Sequence, residues 1–477
     1  MSGATTDLVV IGGGLAGLSA AARAAELGRS VTVLEQGEEE HYPCNSRYAG
    51  GILHLAFIDV GLPPAELEAA LRRKLPGDVD AELVATIAQR VGSTIDWLRQ
   101  VAGAKFVRAG AEAWLKWCLA PPRPIRTSLV WPGRGPDVVV RGLGATLQAK
   151  GGRLQRGARV TDVVQQQGGG FRVAFERGGH AETLLARAVV LADGGFQASA
   201  ADLAAHVTPA PEALVQRNAR TGRGLGLAVA RRLGARLSPL DRFYGHLLSI
   251  DAHHDDRLWP YPVLDDLATA GMVVDQHGAR FVDEGRGGVF MTNEIARCGA
   301  ETKPFVVADA TLWETAGRIT RIPCNPLLTD NGGTVFRGAT LAEAAGKAGV
   351  DAAGLAATVA AHNASLAAGR MPENRTASAH GPQPIATAPF LLIPAAAGIT
   401  YTMGGVAIDT KAAVQAEAGG SIPGLYAAGA TTGDAEGGEP AFYLGGLCKA
   451  AVLGKLAGES ASAWLAGSAP RLAAAGD

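Results

Sequence analysis

Two kinds of hydrophobic spacing divide this chain. Leu8-Val9-Val10-Ile11 is an unbroken apolar run of strand length, and Ser30 to Leu34 is a second such segment ending at Glu35. Between them Leu18 to Leu27 is Ala-rich and helix-prone, closed by Gly28. Continuous rather than alternating apolar runs predict parallel strands buried on both faces, so the opening reads as a βαβ unit. The same pattern returns at Ala188 to Ala192 and at Gly424 to Gly429. Leu154 to Val163 and Phe171 to Phe175 instead alternate, predicting a small antiparallel sheet. Pro63 to Gly103 has helical spacing, and Thr221 to Gly226 leads into an amphipathic helix, Leu227 to Leu233.

From about Ser238 to residue 385 the pattern turns irregular and richer in aromatics, His, Asp and Pro. Met272 to Val282 reads as a hairpin turning at His277-Gly278, and Ala342 to Leu366 as helical. Gly405 to Asp409 reads as a buried strand, and Gly446 to Ser462 as a final helix of small residues. The uncharged stretch Gly381 to Ile408 contains Pro382, Pro384, Pro389, Pro394 and Gly404-Gly405, which fit strands and turns better than a membrane-spanning helix. The expected fold class is α/β. A Rossmann-like nucleotide-binding domain is formed by residues 1–240 and 389–477, and an α+β domain, 241–388, is inserted into it.

Composition supports two domains and narrows the partners. The chain has 477 residues, 47% hydrophobic and 19% charged, with a net charge of −1. That size exceeds one ordinary core, and the charge balance gives no reason to expect nucleic acid. Five scattered cysteines form no CxxC, haem or iron–sulfur spacing, so buried free thiols in a reducing cytoplasm are expected. Met1 to Asp7 lacks a basic n-region, which predicts no signal peptide, no membrane insertion and a cytoplasmic location.

The chemistry begins at Gly12-Gly-Gly-Leu-Ala-Gly17. Gly12 permits the tight turn after the first strand, Gly14 lets a diphosphate approach the backbone, and Gly17 allows close helix–strand packing. Leu15 and Ala16 open the helix whose N–H groups face the diphosphate. Glu35, with Gln36 beside it, is placed to accept ribose hydroxyls, and its carboxylate argues against a 2′-phosphate. At the other end Gly429 closes a strand, and Tyr443-Leu-Gly-Gly446-Leu447 opens the last helix. A second helix N-terminus suits the negative charge of a reduced flavin, for which nicotinamide has no need, so the cofactor is read as FAD.

Several motifs spread end to end carry a resemblance. They are Asn45-Ser46 with Gly50-Gly51, Ala192-Asp193-Gly194-Gly195-Phe196, Gly278 to Glu284, Thr402-Met-Gly-Gly405, Ile422 to Gly429, and Leu444-Gly-Gly446. Together they resemble the soluble FAD family built on the flavoprotein subunit of succinate dehydrogenase and fumarate reductase, loosely nearest its tricarballylate dehydrogenase-like and 3-ketosteroid dehydrogenase-like members. The resemblance implies an FAD domain, an inserted capping domain, and a substrate held between them for hydrogen transfer across a carbon–carbon bond beside a carbonyl or carboxylate. It adds Val160 and Ala430 to the cofactor contacts. A glutamate that normally binds the ribityl chain is Ala430 here, leaving Thr431 or Asp434 for that role.

The departures bear on substrate. A carboxylate-gripping histidine of the fumarate reductases corresponds to Tyr401, and an arginine before Leu-Gly-Gly corresponds to Tyr443. The Thr-Glu pair upstream of the hairpin is replaced around Leu267 to Ala270, and Arg286 is the one counterpart for the active arginine. Phenols cannot grip a carboxylate bidentately, but can hydrogen-bond a ketone oxygen or relay a proton. Ketosteroid dehydrogenases use tyrosines in this way. The expected substrate is therefore a ketone-bearing, cyclic or monocarboxylate small molecule rather than fumarate. Tyr401 or Arg286 handles the α-proton, Tyr443 polarises the carbonyl, and His246 lines the cleft.

Plainer readings stand beside these. Arg286 could form an ion pair with Glu284 or Asp283, and the two tyrosines could close strand ends. His253-His254 with Asp255-Asp256 reads as a solvated loop, so no metal is expected. Trp114 and Trp117 read as packing or as pocket walls. Some relatives tether FAD through a histidine in the segment near His41, Cys44 and Tyr48. Asn45 to Ala49 has none, which predicts non-covalent FAD. The electron acceptor or donor stays unidentified. Two alternatives remain open: an FAD oxidase acting on a C–OH or C–N bond with O2, and a catalytically silent flavoprotein subunit.

Overall fold

A computed structural model of the chain describes residues 4–378 and 381–467. Met1 to Gly3, part of the stretch read for a signal peptide, lie outside the described residues. An eight-stranded sheet and a six-stranded sheet organise the molecule, each with its own hydrophobic core.

The first sheet is built on the predicted βαβ unit. Ala4–Ile11 pairs in parallel with Val31–Leu34 on one side and with His180–Leu191 on the other. Leu8, Val9, Val10, Val189 and Val190 are fully buried, as continuous apolar runs require. Ser421–Ala427 extends the sheet beyond His180–Leu191, and Arg153–Gln155 extends it beyond Val31–Leu34. The alternating segments form an antiparallel meander, Arg159–Gln165 with Phe171–Arg177, which joins the first half of His180–Leu191. The carboxyl ends of the central strands lead into Gly12, Glu35 and Ala192, the edge where ligands bind in such sheets.

The helix Leu15–Glu26 packs on this sheet at atomic closeness. A Cβ at Gly17 would lie 1.9 Å from the Gly12 carbonyl oxygen, and Gly12 itself has φ +101°. The last helix, Gly446–Gly467, crosses the first where Gly454 and Gly458 meet the carbonyls of Ala16 and Ala20. Small residues thus bring the two helices together, with their N-termini opening on one cavity.

The second sheet is centred on one 13-residue strand, Phe390–Thr402. It pairs antiparallel with Phe243–Ser249 on one side and Phe305–Asp309 on the other, and Met272–Val274 lies beyond the latter. All partners of Phe390–Thr402 belong to this sheet, including Val215–Gln216 from earlier in the chain. The sheet therefore ends after Thr402.

Four local readings are refined. The helical region from Pro63 is two helices, Pro64–Arg72 and Ala81–Ala102, separated by Pro76-Gly77 and restarted by the Asp80 side chain. The 342–366 region also divides, at Gly349 with φ +70°. Met272 to Val282 is a turn closed by one bridge, Val274 to Arg280, because Arg280 is drawn to Glu284. Gly405 to Asp409 is held by isolated bridges of Val406 and Ile408 rather than a ladder. Cys44, Cys118, Cys324 and Cys448 are buried free thiols, whereas Cys298 is exposed. Among the described residues no helix is long and apolar enough to cross a membrane, and no group of three His, Cys, Asp or Glu could hold a metal.

Candidate active site

A cavity of about 1380 Å³ runs from the glycine turn to the boundary between the sheets. That exceeds the roughly 300–1,000 Å³ of ordinary small-molecule pockets, leaving room for a dinucleotide and a substrate. At one end Gly12, Gly14, Leu15 and Ala16 form its wall. The first helix has no N-cap side-chain bond and no acid in its first turn, so apart from the Leu15 N–H, which Ser46 takes, its leading N–H groups are left to the cavity. Glu35 is buried and accepts N–H bonds from Gly13 (2.7 Å) and Gly37 (2.8 Å); burial raises its pKa. Tyr42 donates to the Gly13 carbonyl at 2.7 Å and fixes the turn from below. A bare glycine wall, uncapped helix and buried ribose-height carboxylate fit the ADP half of FAD.

Most other residues expected to contact the cofactor line the same space: Gln36, Asn45, Ser46, Gly50, Gly51 and Val160 in one arc. Ala192, Asp193, Gly194, Gly429 and Ala430 form another, with Gly446 and Leu447 at the far end. Ser46 accepts from the Leu15 N–H at 3.0 Å, and Asn45 bridges the Ala219 N–H and the Thr400 carbonyl. Asp193 accepts from the Gly226 N–H, and burial lifts its pKa to about 6. Gly17 lies beneath the wall rather than in it. Asp434 is turned away into an ion pair with Arg236 at 2.7 Å. The ribityl role considered for it is therefore corrected.

Three phenols gather at the far end. Tyr244 and Tyr443 stack with centroids 3.8 Å apart, and Tyr401 lies 5.5 Å from Tyr244. Tyr244 and His246 alternate on Phe243–Ser249 and so share a face. Their polar atoms meet at 2.9 Å, and His246 Nδ1 lies 2.7 Å from Asp265, which also accepts the Leu247 N–H. With Nδ1–H directed at the carboxylate, Nε2 is the acceptor for the Tyr244 hydroxyl. Burial pushes Tyr244 up to about 12. Tyr443 accepts from the Gly446 N–H at 3.3 Å, its hydroxyl is hydrogen-bonded to that of Tyr244, and burial holds it neutral.

Tyr401 is differently occupied. Its hydroxyl donates to Glu436 at 2.8 Å, and Glu436 is paired with Lys449 at 2.6 Å. All three are buried. Burial and the adjacent carboxylate drive the Tyr401 pKa well above its usual value, and its hydroxyl is committed to the Glu436–Lys449 pair. Arg286 does not reach the cavity. It forms a bidentate pair with Glu439 (2.7 and 2.5 Å) and covers the Phe290 ring, so the ion-pair reading applies, with a different acid than expected. Trp114 joins the wall beside His54 and Phe57, while Trp117 packs outside and bonds Asp59.

Sequence reasoning missed Tyr244, Asp265, Glu436, Lys449 and His54. Two signals were present. Tyr244 stands two residues before His246 in a strand, and Lys449 is a lone charge in the apolar start of the last helix.

A family model described as an FAD binding domain matches residues 7–447. The NADH:acrylate oxidoreductase of Vibrio harveyi is 27% identical over 96% of this chain, which spans 50% of that protein's length. The 4-oxocyclohexanecarboxylate 2-dehydrogenase of Sinomonas cyclohexanicum is 27% identical over 95% of this chain and 91% of its own. The 3-ketosteroid Δ1-dehydrogenase of Sterolibacterium denitrificans shares the fold with a TM-score of 0.75 at 18% identity, over 96% of this chain and 99% of that one. The chain, whose motifs resemble those of fumarate reductase-like flavoproteins, belongs to the FAD binding domain family and is an FAD-dependent oxidoreductase.

Proposed function

We propose that this protein dehydrogenates or reduces a carbon–carbon bond adjacent to a carbonyl, in a ketone-bearing, cyclic or monocarboxylate small molecule rather than fumarate. The observation that carries this reading is the stacked Tyr244–Tyr443 pair backed by His246 and Asp265. Bound FAD supplies the two-electron acceptor or donor. Tyr443, neutral and supported by the Gly446 N–H, keeps its proton and donates a hydrogen bond to the substrate oxygen, stabilising the negative charge developing there. Tyr244 takes the proton from the carbon beside the carbonyl as its own hydroxyl proton passes to His246 Nε2, and Asp265 stabilises the imidazolium. In reduction the same groups run in reverse. Tyr401 is a positioning residue, held by Glu436 and Lys449. A relative named for a 4-oxocyclohexanecarboxylate supports a cyclic keto substrate.

The glycine turn, Leu15 and Ala16 are assigned to the diphosphate, Glu35 to the ribose, and Gly446-Leu447 to the flavin ring. The FAD is held non-covalently, the inserted unit covers the substrate and includes the strand Phe390–Thr402 beyond the expected end at residue 388, and the protein acts in the cytoplasm with an unidentified electron partner. The test is anaerobic mixing of the yellow holoprotein with cyclic ketones and keto acids, and of its reduced form with the matching enones. Bleaching or recolouring, with slow reoxidation in air, is the expected result. Silence in both directions across the panel overturns the reading.

A further inference from the structure

Three arginines that the proposed chemistry does not use converge on the same cavity. Arg123 comes from the loop after Cys118–Leu119, Arg217 follows the Val215–Gln216 strand, and Arg321 precedes the helix Cys324–Asp330. Arg217 donates to the Pro260 carbonyl at 3.0 Å and lies 3.4 Å from Thr400 Oγ1, next to the phenols. Arg123 donates to the Tyr48 carbonyl at 2.6 Å. Arg321 has only the weak acceptor Cys118 Sγ, at 3.6 Å.

Among the described residues none of the three forms an ion pair. The nearby wall does carry acids, but Asp265 is committed to His246 and Leu247; Asp266 also lines it. Burial and the proximity of Arg217 and Arg321 lower Arg123 to about 10, which leaves it cationic at neutral pH. Burial likewise lowers Arg217. Gathering like charges in a partly desolvated wall is costly unless an anion completes it. Arg217 interacts with Tyr244 and Tyr443, and Arg123 with Arg217 and Arg321, so the three face the phenol end of the cavity and the anion is assigned to the substrate.

Resting on the reading of the site given above, we infer that the substrate is a keto acid whose carboxylate docks against Arg123, Arg217 and Arg321 while its carbonyl faces Tyr443. The carboxylate grip expected at Tyr401 and Tyr443 in fumarate reductases has thus been moved to guanidiniums on three separate segments. A planar guanidinium is suited to that task, as a phenol is not.

The test is a spectral titration of the oxidised holoprotein with 4-oxocyclohexanecarboxylate and with its methyl ester. The acid should bind at least about 10-fold tighter, a difference expected of one charge-assisted contact. In Arg321→Gln and Arg123→Gln that preference should collapse while ester affinity holds. Equal binding of acid and ester, equal weakening of both in the variants, or binding of neither overturns the inference. If the ester binds as well as the acid and still bleaches the flavin, the carboxylate site fails and the carbon–carbon chemistry stands. If the acid binds through the arginines and bleaches nothing, the chemistry fails and the site stands.

Discussion

Tyr244, on the strand Phe243–Ser249, and Tyr443, just before the last helix, stack nearly parallel, 12° between ring planes. Tyr244 is wired to an imidazole that can take its proton, and Tyr443 to a backbone N–H that cannot. Tyr244→Phe and Tyr443→Phe should each slow substrate-driven flavin reduction by roughly 100-fold, the usual worth of an acid–base group. Arg286→Ala should change it by less than about 2-fold, since its partner Glu439 is largely exposed. Stopped-flow absorbance under anaerobic conditions measures all three.

Breaking the buried pair at the start of the last helix should be severe. Lys449→Met leaves Glu436 as an uncompensated buried charge, a loss of about 3–5 kcal/mol. Adding Glu436→Gln should restore much of it. Denaturant midpoints of the two single variants and the double variant form the necessary cycle.

Stability against pH should reveal two opposed groups. Burial lowers His54 to about 4 from 6.5, so its contribution is present above pH 6.5 and lost as pH falls towards 4. Burial raises Asp193 to about 6 from 3.8, so its contribution is present below pH 3.8 and lost as pH rises through 6. Melting temperatures of His54→Gln should therefore fall less steeply with acid than those of wild type between pH 6.5 and 4. Asp193→Asn should gain on wild type as pH rises from 4 to 6.

Flavin retention depends on the absence of one methyl group. Gly17→Ala would place a carbon 1.9 Å from the Gly12 oxygen, and the purified protein should be colourless or insoluble. Gly92→Ala, in the exposed interior of a helix with no atom within 4 Å, is the control. It should keep its flavin and gain up to about 1 kcal/mol.

Wild-type flavin should leave the protein on acid precipitation, since the Asn45 to Ala49 segment offers no histidine to tether it. Yellow colour retained in the washed precipitate would count against non-covalent binding.

Legibility in the sequence followed the range of the physics. The nucleotide end was readable because strand, turn, helix and Glu35 are contiguous, and each constraint acts within a few residues. The second sheet was blurred because Phe390 to Ile399 is a continuous apolar run and the strand's partners are scattered from residue 215 to residue 338. Tyr401 and Tyr443 were found by position in a motif, but what each hydroxyl does was not. Glu436 decides the state of Tyr401 from 35 residues away, and nothing local announces it. Arg286 sat at a plausible spacing, and only the fold shows that Glu439 takes it. The three arginines belong to no motif, so their convergence exists only in three dimensions.

The strand Phe390–Thr402 has a mechanical consequence. It is the spine of the second sheet, and its last residues are Tyr401 and Thr402, the latter accepting the N–H of Phe196 from the segment that follows the strand His180–Leu191. A spine that ends in the reaction chamber cannot tilt without dragging that end along. Any swing that admits substrate must then also disturb the ring geometry beside it, so entry and misalignment come as one movement. The enzyme would be armed only when shut.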